Sequence, residues 1–164
     1  MEIVVVFGLP GSGKTFVGNI LKKAFGFSLH EADSDLPDDM REAIATQSVI
    51  SDTSRDVFFA KIVAHTKHLQ KQQTKLVVTQ TFIKEKYRKK FLEAFPNTLF
   101  LLVEAPAKLR ERRLKNRIDY PLDLSYVQQM NTLFEAPHIP HEIVQNDHEG
   151  ETHIKKKLEE ILQR

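Results

Sequence analysis

The chain has 164 residues, 41% of them hydrophobic and 28% charged, with a formal charge of +2, a size and composition that fit one globular domain spanning residues 1–164. No stretch approaches the roughly 20 apolar residues that a membrane-spanning helix needs. Acids interleave with bases, so no general field favours nucleic acid. The lack of cysteine excludes disulfide scaffolds, thiolate metal sites and cysteine nucleophiles, and with no signal-type segment it predicts a cytoplasmic protein.

In chain order, an apolar run at 3–7 reads as a buried strand leading into a glycine-rich turn and a helix over 14–25. A weaker strand at 27–30 is followed by a long helix at about 54–72, a strand at 76–79 and a helix at 84–95. Then come a strand at 98–103, helices at 107–117 and 125–134, a weak strand at 142–145 and a last helix at 152–162. Strand and helix alternate, which predicts a parallel sheet. Runs such as Val4-Val5-Val6 and Leu99-Phe100-Leu101-Leu102 lack polar alternation, as strands covered by helices on both faces do. Ser51-Asp52, Pro106 and Thr152 punctuate three helix entrances. The charged segment 117–124, broken by Pro121, reads as a mobile flap of the kind that gates phosphoryl transfer.

Gly8-Leu9-Pro10-Gly11-Ser12-Gly13-Lys14-Thr15 satisfies G-x-x-x-x-G-K-[ST] in full, after a predicted strand and at a predicted helix start. Gly8, Gly11 and Gly13 leave room for backbone N–H groups, that of Ser12 included, to turn inward around phosphates, and the helix adds its positive end. Lys14 then reaches the β- and γ-phosphates, and the Thr15 hydroxyl is an oxygen ligand for Mg²⁺. ATP with Mg²⁺ is the ligand this motif predicts.

Glu31-Ala32-Asp33-Ser34-Asp35 follows the second strand, at the sheet end that faces the phosphate loop. Asp33 is the carboxylate expected to orient an acceptor hydroxyl and take its proton, and Glu31 is expected to hold Mg²⁺ through water. The same acids, with Asp38 and Asp39, also suit the first turn of a helix. Arg113 and Arg117 stand four apart on one helical face, aimed at the transferring phosphoryl and the adenine, with Arg110 as a third member. Basic residues near a helix C-terminus also serve simply as dipole partners. Arg55 and Lys84 lie near the crevice end of their elements and suit an anionic acceptor. His30, His138 and His141 lack metal-ligand spacing and read as ordinary polar residues.

With these residues in place, the chain resembles the gluconate kinase family of small P-loop carbohydrate kinases, relatives of the shikimate kinases. The resemblance runs through Thr15-Phe16-Val17-Gly18, Glu31-Ala32-Asp33, Asp52-Thr53-Ser54-Arg55 and Lys84-Glu85-Lys86-Tyr87-Arg88. It returns at Arg113-Leu114-Lys115-Asn116-Arg117 and at Thr132-Leu133-Phe134-Glu135-Ala136-Pro137. It implies a three-layer α/β/α fold with a five-stranded sheet of order 2-3-1-4-5 and a short lid. It also implies Asp33 as the acceptor-contacting carboxylate, Arg55 and Lys84 near the acceptor, Arg113 and Arg117 at the nucleotide, and 145–150 beside the adenine. Members are often homodimers.

The chain departs from that family where an acidic-Gly-acidic triplet becomes Glu31-Ala32-Asp33 and the following Leu-His-Pro becomes Asp35-Leu36-Pro37. Ser-Ala-Leu-Lys becomes Thr81-Phe82-Ile83-Lys84, and Gly-His after the lid arginine becomes Asp119-Tyr120. The resemblance with these departures implies retained ATP handling and a changed acceptor pocket. The leading expectation is an ATP-dependent kinase for a small hydroxylated acid, gluconate being the first candidate. The alternatives are a kinase for a nucleotide or a polynucleotide 5′ end, and an ATP-binding regulatory switch with slow ATPase activity.

Overall fold

The computed structural model describes residues 2–117, 124–147 and 150–164. Five strands, β1 (Glu2–Phe7), β2 (Ser28–Glu31), β3 (Lys75–Thr79), β4 (Leu99–Glu104) and β5 (Glu142–Gln145), form one sheet in the order β2-β3-β1-β4-β5. All four pairings are parallel, as the order 2-3-1-4-5 expected from the sequence requires. The helices are α1 (Lys14–Phe25), α2 (Asp38–Ala45), α3 (Asp52–Gln70), α4 (Glu85–Ala94), α5 (Ala107–Lys115), α6 (Leu124–Leu133) and α7 (Thr152–Leu162).

Alternate residues of β1 serve two cores. Ile3, Val5 and Phe7 pack with Phe58, Phe59 and Ile62 of α3 and with Tyr87 and Phe91 of α4. Val4 and Val6 pack with Val17, Ile20 and Leu21 of α1 and with Ile154 and Leu158 of α7. Both faces of the central strand are therefore buried, and each aliphatic side chain so placed contributes about 1.5–3 kcal/mol. That is why the strand shows no polar alternation.

Two local features set the entrance to the site. The Ser51 hydroxyl accepts from the Ser54 backbone N–H at 3.1 Å and caps α3, which fixes the helix that presents Arg55, Phe58 and Phe59. Beyond β3, the fully buried Arg88 donates to the carbonyls of Phe82 and Glu135 at 2.8 Å each. This pins the loop that carries Gln80, Thr81 and Ile83.

The helix Asp38–Ala45 is an addition to the segments read off the sequence. Its apolar face is Met40, Ala43 and Ile44, which pack against the core, but its eight residues are shorter than the window of about 11–18 residues over which a helical stripe is read. The flap expected at 117–124 lies, apart from its two end residues, outside the described residues.

Candidate nucleotide and acceptor site

The glycine-rich turn sits between β1 and α1, at the carboxyl end of the sheet's central strand. Gly11 and Gly13 have φ of 81° and 98°, a left-handed region closed to most side chains. A Cβ on Gly11 would lie 2.6 Å from the Arg110 carbonyl oxygen, and one on Gly13 would run into the Asn146 side chain.

Turning N–H groups inward leaves the carbonyls of the turn facing the protein, and each then needs a donor. Lys14 Nζ donates to Gly8 and Leu9 at 3.1 Å each. Arg113 Nη1 donates to Gly11 at 3.1 Å and to Ser12 at 3.0 Å, while its Nη2 donates to the Asn146 carbonyl at 2.7 Å. Asn146 Nδ2 donates to Ser12 at 2.8 Å. Arg113 is thus a brace for the phosphate loop, an immediate role different from the contact with the transferring phosphoryl expected of it. The Ser12 hydroxyl is fully buried in the turn with no partner among the described residues, which fits a loop whose polar groups await an oxyanion.

Burial lowers the Lys14 pKa to about 8; the nearby Asp33 carboxylate opposes the shift, while Arg117 and Arg110 add to it. An ammonium held in this way gains from any phosphate placed beside it. The Thr15 hydroxyl donates to Glu31 Oε1 at 2.7 Å, so two hard oxygen donors meet at the start of α1, the chemistry a Mg²⁺ ion accompanying ATP requires.

Asp33 sits in a short 3₁₀ turn, Ala32–Asp35, directly after β2. Its carboxylate opens onto the cleft, yet the surrounding protein desolvates it and raises its pKa above the usual range; Lys14 and the hydrogen bond from Gln80 oppose the rise. Gln80 Nε2 donates to Asp33 Oδ1 at 2.6 Å, and Gln80 Oε1 accepts from the Thr81 backbone N–H at 2.5 Å. The turn is moored to α3 through Asp35, which lies 2.7 Å from His30 Nε2 and 2.8 Å from His65 Nδ1.

One cavity of about 640 Å³ brings together Lys14, Thr15, Glu31, Asp33, Arg55, Arg113 and Arg117. Arg55 is buried, with Nη1 donating to the Ile50 carbonyl at 3.3 Å. Arg117 bears electrostatically on both Lys14 and Asp33. Lys84 is not among the residues lining the cavity: as the residue preceding α4 it meets the first turn of α3, where its Nζ pairs with Asp52 at 2.8 Å. Arg110 is likewise engaged, donating to the Ala105 carbonyl and to Asn131.

Gln80 and Arg41 support the site without having been singled out from the sequence; Asp35 stands among the acids expected after the second strand and Asn146 in the 145–150 loop, but each acts by bracing its neighbours. Gln80 and Asn146 each follow directly on a strand, β3 and β5. A polar residue closing an apolar strand of a parallel sheet is a signal that was there to be used.

Comparison with known proteins places this geometry. A family model described as an AAA domain matches residues 3–137. A protein of Dictyostelium discoideum named probable gluconokinase is 23% identical over 98% of this chain and 82% of its own length. Among solved structures, a sugar kinase from a Janibacter species superposes with a TM-score of 0.85 at 20% identity, covering 99% of this chain and 95% of that one. A gluconokinase from Sinorhizobium meliloti superposes with a TM-score of 0.78 at 22% identity over the same shares. The family match runs over most of the sequence, and the protein therefore belongs to the AAA-domain family, with the five-stranded fold of the P-loop kinases.

Proposed function

We propose that the protein is an ATP-dependent small-molecule kinase that passes the γ-phosphoryl group to a hydroxyl of a small hydroxylated acid. The observation that carries this reading is the single cavity in which a phosphate loop with Lys14 faces a desolvated carboxylate, Asp33. The acceptor oxygen forms its bond to the γ-phosphorus as the bond from that phosphorus to the β,γ-bridging oxygen breaks, and ADP leaves. Asp33 orients the hydroxyl and takes its proton. Lys14 and the backbone N–H groups of Gly11 and Gly13 stabilise charge on the phosphates, whereas the Ser12 N–H, contrary to the expectation from the sequence, donates to the Leu9 carbonyl at 3.1 Å. Magnesium, held at Thr15 and through the Glu31 carboxylate, supplies further neutralisation of that charge when bound.

The relatives named as gluconokinases make gluconate the first acceptor to test. The assay is coupled ADP release from ATP·Mg²⁺ against gluconate, other sugar acids, polyols, shikimate and nucleoside monophosphates. Stimulation by a hydroxylated acid is the expected result. Stimulation by nucleoside monophosphates alone would transfer the reading to a nucleotide kinase, and slow hydrolysis indifferent to every acceptor would transfer it to a regulatory switch.

A further inference from the structure

Beyond Asp33, the cavity wall is apolar. Met40 and Ile44 of α2, Ile50 before α3, Phe58 and Phe59 of α3, and Ile83 after β3 all line it. The polar side chains interspersed with them are mostly engaged by the protein. Gln80 uses its amide nitrogen on Asp33 and its oxygen on Thr81. Arg41 donates to the carbonyls of Leu36, Asp33 and Ser34. Ser34 donates to the Glu31 carbonyl, and Glu31 accepts from Thr15. Among the described residues of this part of the cavity, a ligand still finds the second oxygen of Asp33, the hydroxyls of Thr79 and Thr81, Nη1 of Arg41 at the exposed rim, and Arg55.

Arg55 is the distinctive group. It is 7% exposed, lines the cavity, gives one hydrogen bond to a carbonyl, and forms no ion pair among the described residues. A guanidinium carries five donors and stays charged; the Asp52 carboxylate acts on Arg55 only through space and is itself paired with Lys84, so most of the Arg55 donors are open to an anion from outside.

We infer that the acceptor is a hydroxy acid with an apolar skeleton. Its carboxylate meets Arg55, its body lies on the wall formed by Met40, Ile44, Ile50, Phe58, Phe59 and Ile83, and its hydroxyl meets Asp33. The inference rests on the kinase reading above and narrows its substrate class. A fully hydroxylated sugar acid brings a row of secondary hydroxyls that outnumber the Thr79, Thr81 and Arg41 groups able to meet them; those set against carbon would lose water with no partner in return, and such a mismatch discriminates strongly.

The test compares gluconate with 6-hydroxyhexanoate, which has the same chain length and the same terminal carboxylate and hydroxyl but hydrogens in place of the secondary hydroxyls. The kcat/KM for 6-hydroxyhexanoate is expected to exceed that for gluconate by at least about tenfold. Arg55→Gln should lower kcat/KM for the hydroxy acid by about tenfold or more while changing that for 1,6-hexanediol by less than about twofold. Ile44→Thr, at a half-buried position of the wall, should narrow the preference even where Arg55→Gln folds poorly. Preference for gluconate, or equal loss with acid and diol in Arg55→Gln, overturns the inference and leaves the kinase reading standing. Should neither compound be phosphorylated, calorimetry with each in the presence of Mg²⁺ and a non-hydrolysable ATP analogue decides. Tighter binding of 6-hydroxyhexanoate with a negative heat-capacity change upholds the pocket while the kinase reading falls; tighter gluconate binding, or none of either, overturns the inference.

Discussion

Lys14 offers a quantitative check on the site because its charge is conditional. Burial holds its pKa at about 8 in the nucleotide-free protein, against about 10.4 for an unperturbed lysine. Phosphate oxygens beside the ammonium reverse that shift, so ATP binds the protonated form and draws a proton in wherever the free protein lacks one. At about pH 7 roughly nine-tenths of Lys14 is already charged and binding takes up about 0.1 proton; at about pH 9 the uptake rises to about 0.9. Over the same interval the affinity for ATP falls by about tenfold, or about 1.4 kcal/mol, the sign following from a folded-state pKa that lies below the bound-state one.

The assay is titration calorimetry of ATP·Mg²⁺ in pairs of buffers with different ionisation heats, so that the difference in apparent enthalpy counts protons. Lys14→Arg, charged throughout this range, should bind with no such pH dependence. In an Asp33→Asn background the carboxylate that partly supports the Lys14 charge is gone, and the onset of proton uptake should move to lower pH. Wild-type affinity that stays level from about pH 7 to about pH 9, with no proton uptake, would refute the placement of a desolvated Lys14 at the phosphate site.

Asp33→Asn should abolish phosphoryl transfer and leave ATP binding measurable at neutral pH; normal turnover would remove Asp33 from its role. Its raised pKa means that the folded state binds more protons than the unfolded one between the ordinary carboxylate value and the raised one. Stability is thus lost as pH rises through that window, and Asp33→Asn should melt higher than the wild type at neutral pH, as scanning calorimetry would read. Arg113→Lys, which keeps the charge but loses the fork that reaches the Gly11, Ser12 and Asn146 carbonyls, should weaken ATP binding by about tenfold or more; full retention would show that the brace is dispensable. Asp35→Ala removes the mooring of the Asp33 turn to His30 and His65 and should lower kcat more than it raises the dissociation constant for ATP. Equal loss in both would mean that the contact serves folding alone.

The sheet was legible because its three inner strands, β3, β1 and β4, are covered on both faces, which forces an uninterrupted apolar run, and because strand and helix alternate; the edge strands β2 and β5 are more polar and gave weaker signals. Helix α2 was not: its apolar face, Met40, Ala43 and Ile44, spans only about two turns, too short a window for periodicity to register. Ser51 and the glycines of the phosphate loop were legible for a different reason. Their function is conformational, decided by hydrogen bonds and backbone angles within a few residues, so the local sequence contains it.

Residues whose work depends on distant partners divided along another line. Lys84 was read as an acceptor ligand from its place near the sheet's carboxyl edge, but the start of α3 lies beside the start of α4, and a first-turn acid, Asp52, sits closer to it than the cavity does. Arg113, expected at the nucleotide, lies beside the phosphate loop, with its donors on the carbonyls that the loop leaves outside. Both outcomes have one cause: a long cation seeks the nearest unsatisfied acceptor, and only the three-dimensional packing says which acceptor that is. Arg55 is the exception that gives the pocket its character. The packing that buries it in the cavity wall brings no carboxylate into ion-pair range among the described residues, so the acceptor it lacks has to arrive with the substrate.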